Sequence, residues 1–117
     1  MLSFHSHLKI YLAVEPADMR KSFNGLYSLA TEKLQEDPKA GGLFCFTNRR
    51  RNRLKILYFD RTGVCVLAKR LEKHTFRWPT SAVGGCSKIV LSPEALQLLI
   101  DGVDLREGMR RAWYECG

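Results

Sequence analysis

Three consecutive arginines, Arg49-Arg50-Arg51, with Arg53 one residue beyond Asn52, form the stretch of this chain best suited to chemistry. Each guanidinium carries five N–H donors in a planar fork that matches phosphate oxygens two at a time. On an extended loop such a run splays to different sides, so a phosphate backbone wrapping the loop meets a donor at each step. Every phosphate neutralised in this way releases counterions, and binding becomes steeply salt-dependent. The competing uses are a solvated loop that keeps the protein soluble and a contact with an acidic protein surface.

The run opens a longer basic stretch. Residues 49–77 hold ten of the 19 lysines and arginines: Arg49, Arg50, Arg51, Arg53, Lys55, Arg61, Lys69, Arg70, Lys73 and Arg77. Only Asp60 and Glu72 oppose them there, and the remainder of the chain is close to neutral. The net charge of +7 is therefore local, which points to a polyanionic partner. Within KRLEKHTFRWP (69–79), bases alternate with Phe76 and Trp78, an arrangement that can track a strand and stack its unpaired bases. A Trp followed by Pro also serves as a core anchor closing a sheet, and that reading is preferred for Trp78. A smaller basic pair, Arg20 and Lys21, lies in DMRKSFNGL (18–26). It falls in the first turn of a predicted helix, where the dipole disfavours cations. These two are candidate contacts to a partner, set against plain surface charges offset by Asp18 and Glu15.

Bond-breaking chemistry finds little support. His5-x-His7 offers two imidazoles without a third ligand in register, and His74 stands alone. A small metal-dependent nuclease built on them is the weakest reading. The acids are scattered, with no D-x-D or E-x-x-E pair of the kind that gathers metal ions for phosphoryl transfer. No P-loop, nucleophile-elbow or zincin motif occurs. Cysteines 45, 65, 86 and 116 contain no C-x-x-C, so no zinc site is expected. Cys45 and Cys65 sit in apolar runs as small hydrophobes, and Cys116 reads as a frayed terminal thiol. No enzyme activity, metal or cofactor is expected.

The elements that must position the arginines are legible in outline. LKIYLAV (8–14) predicts a first strand ended by Pro16, with Asp18 placed to cap a helix. Met19, Phe23, Leu26, Ala30 and Leu34 recur at helical spacing and predict an amphipathic helix over 19–34. Gly25 inside it suggests close packing of the helix on a sheet. LFCFTN (43–48), RLKILYF (53–59) and VCVLAKR (64–70) follow as strands, joined by Arg49–Asn52 and by the turn Asp60-Arg61-Thr62-Gly63. These spacings describe an antiparallel meander with the arginines at one hairpin tip. Lys88–Leu91 suggests a further strand. Ser92-Pro93-Glu94 opens a second helix, with Gly102 placed for a left-handed cap.

The expected fold is α+β: a small antiparallel β-meander sheet packed against an N-terminal amphipathic helix, with a short C-terminal helix. At 117 residues, 45% hydrophobic and 26% charged, one domain spanning 1–117 is expected, with 106–117 a flexible basic tail. No apolar run approaches membrane-spanning length, and the N-terminus lacks a signal-peptide pattern, so the cytoplasm is the expected location. Exposed strand edges can pair between chains, which allows a homodimer.

Taken together and in order, PADMRKSFNGL, DPKAGGLFCFTNRRRNRLKILYFDRTG, KRLEKHTFRWP and LSPEALQLLIDGVD give this chain a resemblance to a known family. It resembles the accessory proteins encoded by the second reading frame of insertion-sequence-66 elements, known as TnpB. The motifs cover residues 16–104. The resemblance implies a bacterial mobile element, a requirement in its transposition, and a separate transposase that cuts and joins strands. The partners it implies are nucleic acid, DNA before RNA, and the element's transposase. A non-catalytic nucleic-acid-binding factor is thus the first expectation, and a module docking on the transposase through Arg20, Lys21 and the basic face is the alternative. Ser22 and Asn24 depart from the family pattern, which often has Gly and Asp there. His74 stands where the pattern leads one to expect Gly, and the tail after Leu105 has no counterpart.

Overall fold

The computed structural model describes residues 8–79, 86–102 and the backbone of 115–116. Its framework is a six-stranded sheet in the order β4-β3-β2-β1-β5-β6. The strands are β1 (Ile10–Ala13), β2 (Leu43–Thr47), β3 (Arg53–Phe59), β4 (Val64–Arg70), β5 (Lys88–Leu91) and β6 (Glu115–Cys116). β2, β3 and β4 form the expected antiparallel meander, with the two hairpin turns where the sequence placed them.

The sheet as a whole is mixed, not antiparallel. β1 runs parallel to β2, with Ile10 opposite Leu43 and Leu12 opposite Cys45. Parallel neighbours need a long crossover, usually helical, and the intervening residues supply one after β1. β5 then adds antiparallel to the other side of β1, and β6 pairs with β5. Of the expected basic tail, only the backbone of Glu115–Cys116 lies within the described residues.

The helix is shorter than its periodicity suggests. α1 covers Phe23–Ser28 and widens into a π-helical turn over Leu29–Lys33, where Leu34 N–H donates to the Leu29 carbonyl at 3.1 Å. Thr31 Oγ1 bonds back to the carbonyls of Tyr27 and Ser28, a competition that loosens helices. Asp18 does not cap α1. Its Oδ1 accepts from the Arg20 N–H at 2.9 Å in a tight turn, and the helix begins only after Ser22. Arg20 and Lys21 thus precede the helix and escape its dipole. Gly25 is explained by Lys21 rather than by the sheet: a Cβ there would lie 2.9 Å from Lys21 Cβ and Cγ.

Strand alternation sends side chains to two cores. One face buries Phe44, Phe46 and Leu57 under Leu26, Ala30 and Leu34 of the helical segment. The other buries Leu12, Cys45, Ile56 and Ile89 under α2 (Pro93–Ile100), together with Phe76 and Trp78 from the segment after β4. α2 begins as predicted: Ser92 Oγ accepts from the Ala95 N–H at 3.1 Å, and Gly102 at φ +84 follows its end. Phe76 and Trp78 are 1% and 5% exposed, and Trp78 Nε1 donates to the Ala13 carbonyl at 2.8 Å. Trp78 is the core anchor preferred above, and Phe76 joins it instead of offering a face to nucleotide bases. Cys45 and Cys65 are free thiols, and Cys86, for which the sequence suggested no role, is disulfide-bonded.

Candidate nucleic-acid interface

Three segments meet at the end of the sheet where β2 gives way to β3. The first is the turn 48–52, organised by Asn48. Asn48 Oδ1 accepts from the N–H groups of Asn52 and Arg53 at 3.1 Å each, and its Nδ2 donates to Asn52 Oδ1 at 2.7 Å. Arg51 takes the left-handed conformation (φ +60) that closes this turn. The second segment, 71–79, folds back onto it. Leu71 N–H donates to the Asn52 carbonyl at 2.9 Å, and Phe76 N–H to the Arg51 carbonyl at 2.7 Å. The third, 14–22, is tied in where Ala17 N–H donates to the Thr47 carbonyl at 2.8 Å.

These ties gather Arg49, Arg50, Arg51, Arg53, Arg70, Lys73 and Arg77 at one end of the molecule. Among the described residues, none of Arg49, Arg50, Arg51, Arg53, Lys73 and Arg77 has a side-chain hydrogen bond or ion pair. Arg70 meets Glu72 at 3.5 Å with both side chains exposed, a pairing of small worth. Arg53 and Arg70 are direct cross-strand partners, so their Cβ atoms lie about 5 Å apart on the same face of the sheet. They line a groove of about 310 Å³ with Met19, Lys55, Lys69 and Glu72.

Three residues of the predicted set do not join this surface as free cations. Lys55 Nζ donates to the carbonyls of Met19 (2.9 Å) and Lys21 (2.8 Å), fastening the loop before α1 to β3. Lys69 Nζ donates to the Ile100 carbonyl at 2.8 Å, satisfying the end of α2. Arg61 sits in the β3–β4 turn, beyond the far end of β3 and roughly 20 Å from Arg53. Alternation explains all three. Lys55 and Lys69 point onto the two opposite faces where helical segments end or begin, and a hairpin's two turns lie at opposite ends of its strands.

Arg20 is held by Asp18, with Nε 3.1 Å from both carboxylate oxygens and Nη2 2.8 Å from Oδ2. Those bonds to Arg20 bring the Asp18 pKa down to about 2. Lys21 is exposed, and Phe23 beside it is the one large hydrophobic side chain among the described residues left substantially bare, at 50%. Lys88, which sequence reasoning passed over, is a partly buried structural cation. It donates to Glu36 at 2.7 Å and to the Leu34 carbonyl at 2.6 Å, and lies 5.7 Å from the Tyr11 ring centre. Its only signal in the sequence is a polar residue at the head of an apolar strand.

His74 adopts φ +67, a conformation favourable to glycine, at the position where the family pattern leads one to expect Gly. His5 and His7 lie outside the described residues. Among the described residues, no three His, Cys, Asp or Glu side chains are grouped to hold a metal ion, and no helix is long and apolar enough to cross a membrane.

The family model described as "IS66 Orf2 like protein" matches residues 8–110. The chain belongs to this family. The IS66 Orf2-like match spans strands β1 to β5, both helices and the whole basic end. Two relatives come from Sinorhizobium fredii, both named as uncharacterized proteins. One, y4hO, is 37% identical over 106 residues, covering 91% of this chain and 90% of its own. The other, y4jC, is 36% identical over 97 residues, covering 83% and 80%. No solved structure matches the chain.

Proposed function

We propose that this IS66 Orf2-like protein is a non-catalytic accessory factor in transposition that binds nucleic acid, DNA before RNA, through the arginine end of its sheet. The observation that carries the reading is the division of labour among the cations. Lys55, Lys69 and Lys88 are spent on carbonyls and a carboxylate inside the fold. The arginines of the turn are held in place by backbone bonds while their guanidinium groups have no hydrogen-bond or ion-pair partner among the described residues. A rigid turn with unpaired, outward cations suits a polyanion, because little ordering entropy remains to be lost on binding. With Phe76 and Trp78 buried, the contact is to the phosphate backbone, which positions a protein without reading sequence.

Arg49, Arg50 and Arg51 changed together to Ala test the reading in an equilibrium binding assay at fixed salt. Binding falls at least tenfold if the turn is the contact. Unchanged binding removes the turn from the interface.

The second reading, docking on the element's transposase, is favoured by the bare Phe23 beside Lys21. Copurification with the transposase after nuclease treatment, lost in Phe23→Ala, supports it. Copurification that disappears with the nucleic acid removes it.

A further inference from the structure

Two arginines directly opposite on neighbouring strands repel each other, and like charges in that register destabilise a sheet. Arg53 and Arg70 hold this arrangement, and nothing among the described residues neutralises it fully. Arg53 has no partner among the described residues, and Arg70 has only Glu72 at 3.5 Å. Lys55, on the same face of β3 as Arg53, is already turned toward the carbonyls of Met19 and Lys21, while Lys69 sends its side chain to the opposite face, toward Ile100. The charge of Lys55 still raises the potential in the groove, while its own donors are engaged. The groove of about 310 Å³ has room for on the order of ten waters, enough for one tetrahedral anion with part of its hydration shell.

We infer that Arg53 and Arg70 form a single phosphate seat, a two-guanidinium clamp for one phosphate group, with Glu72 as the internal carboxylate that occupies Arg70 when the seat is empty. The inference rests on the nucleic-acid reading for its natural ligand, a backbone phosphodiester, but the seat is a site for inorganic phosphate in its own right. It differs from the turn in kind. Arg49, Arg50 and Arg51 splay along a backbone and meet separate phosphates, whereas Arg53 and Arg70 converge on one. An anion between them converts their repulsion into two charge-assisted attractions. Because Glu72 competes for Arg70, its removal strengthens the seat.

The test uses the full chain, inorganic phosphate and one labelled oligonucleotide. Phosphate, compared with chloride at equal ionic strength, raises the thermal midpoint of the protein. The rise disappears in Arg53→Gln and in Arg70→Gln, and it grows in Glu72→Gln. The Gln variants relieve a repulsion, so they keep the fold. In oligonucleotide binding, the two single variants and the double variant have nearly equal affinity, because either arginine alone holds the shared phosphate poorly. The slope of log K against log salt changes by about 0.9 for the pair together.

Independent losses that add in the double variant, with a slope change of about 1.8, mean two separate phosphate contacts and overturn the seat while leaving the nucleic-acid reading intact. A phosphate-specific stabilisation with no oligonucleotide binding keeps the seat and overturns that reading. No phosphate effect beyond that of chloride overturns the seat.

Discussion

Lys88 and Glu36 meet at 2.7 Å across the junction between β5 and the end of the helical segment, with side chains 12% and 29% exposed. The same ammonium holds the Leu34 carbonyl at 2.6 Å, so one side chain pins the helix end and the following loop to the sheet. Removing one partner of such a pair leaves the other charge poorly solvated. Glu36→Ala therefore destabilises the protein by about 2 kcal/mol, less than for a fully buried pair. Urea denaturation checks it as a lower midpoint with an unchanged m-value. Burial and the neighbouring Glu36 also hold the Tyr11 pKa above its ordinary value, so the same variant brings Tyr11 ionisation down toward that value.

His74→Gly stabilises the protein. A left-handed backbone costs an ordinary residue about 1 kcal/mol and costs glycine nothing steric. The thermal midpoint rises by roughly 4 °C for a domain of this size. Differential scanning calorimetry checks it, and a fall instead means that the imidazole makes a contact worth more than the strain.

Arg20 and Asp18 link stability to acid pH. The folded Asp18 pKa of about 2 lies below the ordinary 3.8, so the pair's stabilisation is fully present above about pH 4. It fades as pH falls through the folded value near 2. An NMR titration of the Asp18 carboxyl reads this directly, and Arg20→Ala moves the midpoint back up toward 3.8. With its guanidinium engaged by this carboxylate, Arg20 contributes less to nucleic-acid binding than any of the turn arginines.

Trp78→Phe removes the indole donor to the Ala13 carbonyl and destabilises by about 2 kcal/mol. In a Trp113→Phe background, Trp78 emits as a buried indole, and its fluorescence is not quenched when nucleic acid is added. Strong quenching would place the aromatic segment in the interface.

How far the sequence reaches depends on whether the determining contact is local. The β2–β3 and β3–β4 turns and the start of α2 were legible because Asn48, Asp60 and Ser92 act within five residues of themselves. The parallel pairing of β1 with β2 was not, since neighbouring strands in space need not carry any shared local signal. The start of α1 was misplaced for a similar reason. Met19 has the right spacing for the helix, but it is buried as part of a loop that Lys55 holds from 36 residues away. For the basic end, the arginine turn was visible as composition, but its convergence with Lys73 and Arg77 was not, because it depends on segment 71–79 folding back onto Arg51 and Asn52. The separate fates of Lys55 and Lys69 required the positions of the helix ends. Cys86 gave no hint, because four widely spaced cysteines do not reveal which of them pair.

The most direct measurement is the salt dependence of oligonucleotide binding for the unaltered protein, for Arg49, Arg50 and Arg51 changed together to Ala, and for Arg61→Ala. The triple variant lowers the slope of log K against log salt by roughly 2 to 3, about 0.9 for each phosphate lost. Arg61→Ala, at the opposite end of β3, leaves slope and affinity where they were. A triple variant that binds with the original slope, or an Arg61 variant that loses as much, contradicts the claim that one end of this sheet grips the phosphate backbone.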